Sequence, residues 1–140
     1  MKENLSLKAF VVLIKASKAL QDYVMEDMKN YGMKTSEFTI LETLYHKGKQ
    51  TVREISESVL IKTGSITYVI DKLEEKGLLQ RKHSQEDRRV VYIDITDKGK
   101  QLMDEIFPKH QQVIEELFMD VSDEQKKVVI DVLKKAGKRL

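Results

Sequence analysis

Apolar residues recur along this chain at two different periods, and the switch between them divides it. Over residues 5–30, Phe10, Leu13, Ile14, Leu20, Val24 and Met28 return at helical spacing, with Lys15, Lys18, Asp22 and Lys29 between them. That pattern predicts one long amphipathic helix. Tyr31-Gly32 stops it, since Gly accepts the left-handed backbone past a helix end. Phe38, Leu41, Leu44 and Tyr45 form the stripe of a second helix, opened by Thr35 or Ser36 as cap and closed by Lys47-Gly48. Thr51-Val52-Arg53-Glu54 is a capping box and opens a third, short helix with Val52, Ile55 and Val59 inward. After the tight connection Leu60-Ile61-Lys62, a fourth helix over 63–76 carries Ile66, Val69, Ile70 and Leu73 on one face. Gly77 suits its end, with Leu78 as the closing apolar contact.

The period then falls to two. Leu79–His83 and Val90–Ile95 read as strands, joined by the polar stretch 84–89, so a β-hairpin is expected. Thr96-Asp97 caps a fifth helix bearing Leu102, Ile106, Val113, Ile114, Leu117 and Phe118. Pro108 inside it predicts a kink or break. Ser122, with Asp123 and Glu124 following, opens a last helix with Val128, Val129, Val132 and Leu133.

The expected fold is mainly α with a small β-hairpin wing. Residues 35–97 would form a winged helix-turn-helix unit, residues 1–34 an N-terminal dimerisation helix, and residues 98–140 C-terminal dimerisation helices. The long end helices carry apolar faces with little to cover them in so small a unit. Each other and a second copy of the chain are the available partners, so a homodimer is expected.

Composition narrows the function. The net charge of the 140 residues is only +2, so charge alone does not imply nucleic acid, and any DNA contact requires clustered cations. There is no Cys, which excludes disulfides, thiolate zinc sites and thiol-based redox sensing by this chain. His46, His83 and His110 show no metal-ligand spacing, and neither a phosphate loop nor a nucleophile elbow is visible. No metal, no cofactor and no enzymatic activity are expected. Lys2 and Glu3 precede the first apolar run and Lys15 and Lys18 break it, unlike a signal peptide or a membrane span. A cytoplasmic protein without a membrane partner is the expectation.

Candidate chemistry lies in the middle. A short capped helix, a turn and a second helix with one apolar face make a helix-turn-helix pattern, whose second helix enters the major groove by its N-terminal part. Its outward face offers Thr63, Ser65, Thr67, Tyr68 and Lys72, with Gly64 permitting close backbone approach. The hairpin adds Arg81, Lys82, Arg88 and Arg89. An Arg at a wing tip can enter a narrow minor groove. Asp87 would repel phosphate unless it forms a salt bridge that fixes the Arg89 rotamer. Either feature alone also fits an ordinary solvated helical hairpin or turn. Their succession favours DNA.

The run Ser65 to Arg81, followed by Asp87-Arg88-Arg89 and Ile95-Thr96-Asp97-Lys98-Gly99, resembles the MarR family over nearly the whole length. Its pattern is an Asp-x-Leu-Glu-x-x-Gly run, an Arg on the first wing strand, an Asp-x-Arg wing tip and a Thr-x-x-Gly helix start. The resemblance implies a dimeric regulator, with Asp87 as wing salt-bridge partner and Arg89 as minor-groove Arg. Many members have Arg where this chain has Tyr68, which removes the commonest guanine reader and favours an A·T contact. Ser65–Val69 and Ile106–His110 are similar to a branch that responds to quinones and related aromatics. The family also implies an aromatic effector site between the end helices and the winged unit. Phe10, Leu13, Phe38, Leu41, Tyr45, Leu60 and Tyr68 are its candidates, although apolar residues at helical spacing are more often core. Without Cys, any such response is non-covalent or uses another group. The expected function is a homodimeric repressor on a pseudo-palindromic operator in double-stranded DNA, released by a small aromatic ligand. The alternatives are a sequence-tolerant architectural DNA binder and a winged-helix protein-interaction module.

Overall fold

The computed structural model describes residues 3–59 and 63–138. Helix α1 (Leu5–Met28) starts at Asn4, whose side chain accepts the Leu7 N–H at 3.0 Å. It tightens into a 3-10 turn at Lys29–Tyr31, and Gly32 ends it at φ +63°. The α-helical part thus stops two residues short of the expected span 5–30, because terminal turns commonly close with i→i+3 bonds.

Helix α2 (Thr35–Lys47) corrects one expectation: neither Thr35 nor Ser36 is its cap. Lys34 holds the cap position in extended backbone, and the Glu37 carboxylate accepts its N–H at 3.0 Å. The acceptor comes from within the first turn, so the helix begins one residue before a hydroxyl could cap it. Helix α3 (Val52–Ser58) has the expected box: the Thr51 hydroxyl accepts the Glu54 N–H at 3.1 Å and the Glu54 carboxylate accepts the Thr51 N–H at 3.3 Å.

Helix α4 (Thr63–Glu75) buries Ile66, Val69, Ile70 and Leu73. Gly77 at φ +74° reverses the chain, with Gly77 N–H donating to the Glu74 carbonyl and Leu78 N–H to the Leu73 carbonyl. These are the two bonds of a Schellman ending, and Leu73 and Leu78 are both buried beside them. Strands β1 (Leu79–His83) and β2 (Val91–Ile95) pair antiparallel, from Leu79 opposite Ile95 to His83 opposite Val91. Gln50 adds a bridge to β2 through paired backbone bonds with Ile93 at 3.0 and 2.7 Å. Its buried amide donates to the Thr43 carbonyl at 3.1 Å.

Helix α5 (Asp97–Leu117) begins against this corner. The Thr96 hydroxyl accepts the Gly99 N–H at 3.1 Å and donates to the Gly77 carbonyl at 2.6 Å. A Cβ on Gly99 would run into the Leu78 carbonyl oxygen and the Ile95 side chain. Of the kink or break expected at Pro108, the break does not occur: α5 continues as helix to Leu117. The missing hydrogen bond is a local loss that the flanking turns absorb. One core joins Met28 of α1, Ile40, Leu41 and Leu44 of α2, Ile55 of α3, Ile66, Ile70 and Leu73 of α4, Leu79 and Ile93 of the hairpin, and Met103 and Ile106 of α5. Each such side chain contributes about 1.5–3 kcal/mol by leaving water.

The chain divides into two units, residues 1–107 and 108–140. In the first, the N-terminal half of α1 leaves Phe10, Val11, Val12, Leu13 and Ile14 exposed. In the second, α6 (Asp123–Gly137) starts at Ser122, whose hydroxyl accepts the Gln125 N–H at 3.1 Å. It leaves Val128, Val129, Ile130 and Val132 exposed. Among the described residues no helix is long and apolar enough to cross a membrane.

Candidate nucleic-acid interface

The inward stripe of α4 dictates what its other side presents. With Ile66, Val69, Ile70 and Leu73 buried, Ser65, Thr67, Tyr68, Asp71 and Lys72 face solvent. Tyr68 is 58% exposed, a large ring left in water at the surface of a folded unit. The Lys72 ammonium lies 5.5 Å from the Tyr68 ring centroid and 3.6 Å from Glu75. Thr63 is the first residue of α4, and its side chain lies outside the described set.

The wing tip is a built turn. The Ser84 hydroxyl accepts the N–H groups of Glu86 and Asp87 at 3.2 and 3.3 Å, and Val90 N–H closes onto the Asp87 carbonyl at 3.0 Å. Asp87 is thereby aimed at Arg89. Its carboxylate accepts from Arg89 Nε at 3.1 Å, Nη2 at 3.2 Å and the backbone N–H at 3.0 Å. The Arg89 side-chain bonds, then its backbone bond, lower the Asp87 pKa against a small opposing effect of burial. The Arg89 side chain is 92% exposed, so it is held in direction without being covered. Arg88 is also exposed, with its carbonyl 2.9 Å from His83 Nδ1.

Arg81, expected as a DNA contact, is engaged by two acids of the chain itself. Its Nη2 lies 2.5 Å from Asp71 and its Nη1 2.5 Å from Glu74, while its backbone N–H donates to Glu74 at 3.2 Å. The Asp71 bond, opposed by burial and joined by the Glu74 bond, raises the Arg81 pKa. Strand β1 leaves α4 through a tight Gly77 turn, so its third residue comes alongside the acids one and two turns back on the helix. Arg81 therefore braces wing to helix and neutralises two carboxylates on the reading helix.

The candidate effector residues are divided by the structure. Phe38 and Leu41 are core, Phe10 and Leu13 stand exposed on α1, and Tyr68 belongs to the α4 surface. Leu60 lies outside the described residues. Tyr45 donates to the Asp104 carboxylate, a bond that raises its pKa. Its ring meets His46 at 5.2 Å and Phe107 at 6.1 Å, and those two meet at 4.7 Å, joining α2 to α5.

Sequence reasoning missed Gln50 as a third strand element, the Asp71 and Glu74 partners of Arg81, and the Lys76 partner of a buried glutamate on α2. Glu37 has a side chain only 7% exposed, with Lys76 Nζ at 2.7 Å. A glutamate directly before an inward apolar stripe looks like a first-turn acid, and nothing local reveals a lysine 39 positions on.

Comparison with known proteins decides the family. The MarR family model matches residues 33–91. The Bacillus subtilis HTH-type transcriptional regulator MhqR is 43% identical over 132 residues, spanning 94% of this chain and 91% of that protein. The chain belongs to the MarR family. It is a helix-turn-helix transcriptional regulator, and the winged unit described above is the family's. Solved MarR-like structures share the fold. Sco3205 of Streptomyces coelicolor, a MarR family regulator determined in complex with DNA, aligns over 99% of this chain and 92% of its own at TM-score 0.88 and 18% identity. Bordetella bronchiseptica BpsR, whose DNA binding is regulated by 6-hydroxynicotinic acid, aligns over 98% of both chains at TM-score 0.84 and 20% identity.

Proposed function

We propose that this MarR-family chain is a homodimeric repressor that reads a pseudo-palindromic operator and is released by a small aromatic ligand. The observation that carries the DNA reading is the wing tip. A guanidinium held by an adjacent carboxylate, yet almost wholly in solvent, has been oriented for something outside the molecule. An exposed pair of this kind adds little to stability. It lowers the ordering cost of placing Arg89 in a minor groove. In the same unit, Ser65, Thr67 and Tyr68 supply hydroxyls and a ring for base edges, with Lys72 for phosphate. Residues 35–97 are the reader in this scheme, and residues 1–34 and 98–140 the dimerisation elements. The exposed apolar faces of α1 and of α6, each within its own unit, support that division.

The aromatic ligand is supported by the sequence likeness to an aromatic-responsive branch and by the regulation of BpsR's DNA binding by 6-hydroxynicotinic acid. The Tyr45, His46 and Phe107 rings are its candidate contacts within the first unit. The ligand would act by favouring a dimer whose two readers no longer match one DNA turn.

Selection of bound duplexes from a random pool, with and without aromatic carboxylates and quinones, tests the whole reading. A recurring pseudo-palindrome whose recovery falls with ligand is expected. Equal affinity for selected and scrambled duplexes, with a steep salt slope, would instead make the chain an architectural binder.

A further inference from the structure

Beside the outward face of α4 lies a groove of about 270 Å³. Lys34, Ser36 and Glu37 line it from the start of α2, and Tyr68, Lys72 and Lys76 from α4. Its one carboxylate is already spent. Glu37 is buried beneath Lys76 Nζ at 2.7 Å and the Lys34 N–H at 3.0 Å. Burial pushes the Glu37 pKa up, but the Lys76 bond, the Lys34 backbone bond and the charges of both lysines outweigh it, and the net shift is downward. The carboxylate is ionised and turned to internal donors. Three ammonium groups against one such carboxylate leave the groove positive, with Glu75 3.6 Å from Lys72 as the other acid in reach.

We infer that this groove seats one backbone phosphate of the DNA duplex, held by Lys34, the Ser36 hydroxyl and Lys72. The inference rests on the DNA-binding reading above and adds to it a contact from α2, outside the recognition helix and the wing. Phosphate is the fitting anion because of where Tyr68 and Lys72 stand. Both line the groove and both belong to the exposed face of α4. A duplex whose base edges meet Ser65 and Thr67 must carry its backbone past these two residues. The groove is then a positioning contact: it sets how α4 lies in the major groove and reads no bases. The Glu37–Lys76 pair underneath fixes α2 against α4, so that the ends of the seat keep their spacing.

The test uses the full chain, with affinities for a selected and a scrambled duplex measured across a salt series. Lys34→Ala, Lys34→Gln and Ser36→Ala all keep the backbone N–H groups that Glu37 and α2 use. Lys34→Ala is expected to weaken both duplexes by the same factor, about fivefold to tenfold. It should also lower the slope of log affinity against log salt by about 1, leaving the selected-to-scrambled ratio unchanged. A single methylphosphonate at the facing phosphate should abolish the difference between wild type and Lys34→Gln. Unchanged affinity and slope in all three variants, with Arg89→Ala still strongly impaired, would remove the seat and leave the DNA reading standing. A loss confined to the selected duplex would also overturn it, since that would be base reading. Failure of the wild-type protein to bind any duplex at low salt would overturn the DNA reading and the seat with it.

Discussion

The root and the tip of the wing use the same residue types to opposite ends. At the root, Arg81 is 32% exposed and meets two carboxylates from a different element, Asp71 and Glu74 of α4, each at 2.5 Å. At the tip, Arg89 meets one carboxylate of its own turn at 3.1 Å and remains almost entirely in water. An ion pair between elements, partly shielded from solvent, joins them. An ion pair within one turn joins nothing, and what it does is choose a rotamer. Sequence motif alone treats both as basic wing residues, and the difference lies in which element supplies the acid.

Substitutions can break or sharpen this contrast. The largest effect is expected at the root from Gly99→Ala. Its Cβ would meet the Leu78 carbonyl oxygen and the Ile95 side chain, neither of which can swing away. A loss of about 3 kcal/mol in denaturant unfolding is expected. Unfolding like wild type would show that the corner is looser than its geometry implies. Next, Arg89→Ala should weaken operator binding about tenfold to a hundredfold while leaving the melting temperature unchanged. Affinity that stays the same would take Arg89 out of the interface.

Arg81→Ala should do something of each. It leaves Asp71 and Glu74 unneutralised, costs roughly 1 kcal/mol of stability once solvent screening is allowed for, and weakens DNA binding by charge repulsion. Adding Asp71→Asn and Glu74→Gln should restore most of the affinity if Arg81 is a brace. No recovery, together with a salt slope reduced by one, would make it a phosphate contact after all. The smallest effect is expected from Asp87→Ala, a several-fold weakening of DNA binding even though a negative charge is removed. Tighter binding would refute the orienting role. The pH dependence follows from the lowered Asp87 pKa. The pairing is complete above the ordinary aspartate value and is lost only as pH falls through the depressed one. The Arg89 guanidinium Nε–H signal followed by NMR should therefore hold its position through the usual carboxylate range and move below it.

Much of the fold was legible because it is written locally. The capping box at Thr51, the helix start at Ser122, the Gly77 ending and the change of period at Leu79 each depend on residues within one or two turns. Arg89 and Asp87 were legible for the same reason, being two residues apart in one turn. The misreadings share an opposite origin. Thr35 looked like a cap until Glu37 supplied the acceptor. The acids that engage Arg81 were hidden for the same reason, since only the packing of β1 beside α4 brings them to it.

By itself, the sequence determined which helices form, where they stop, which faces are apolar and which turn carries an arginine beside an aspartate. Hydrogen bonds within a turn and helical or strand periodicity act over a few residues, and no tertiary partner is needed to establish them. The tertiary structure decided which charges remain available to a partner. Whether an arginine or lysine faces DNA or a carboxylate depends on residues such as Asp71, Glu74 and Glu37, which only packing brings within reach. An ion pair formed across elements gives a cation a partner that competes with DNA for it.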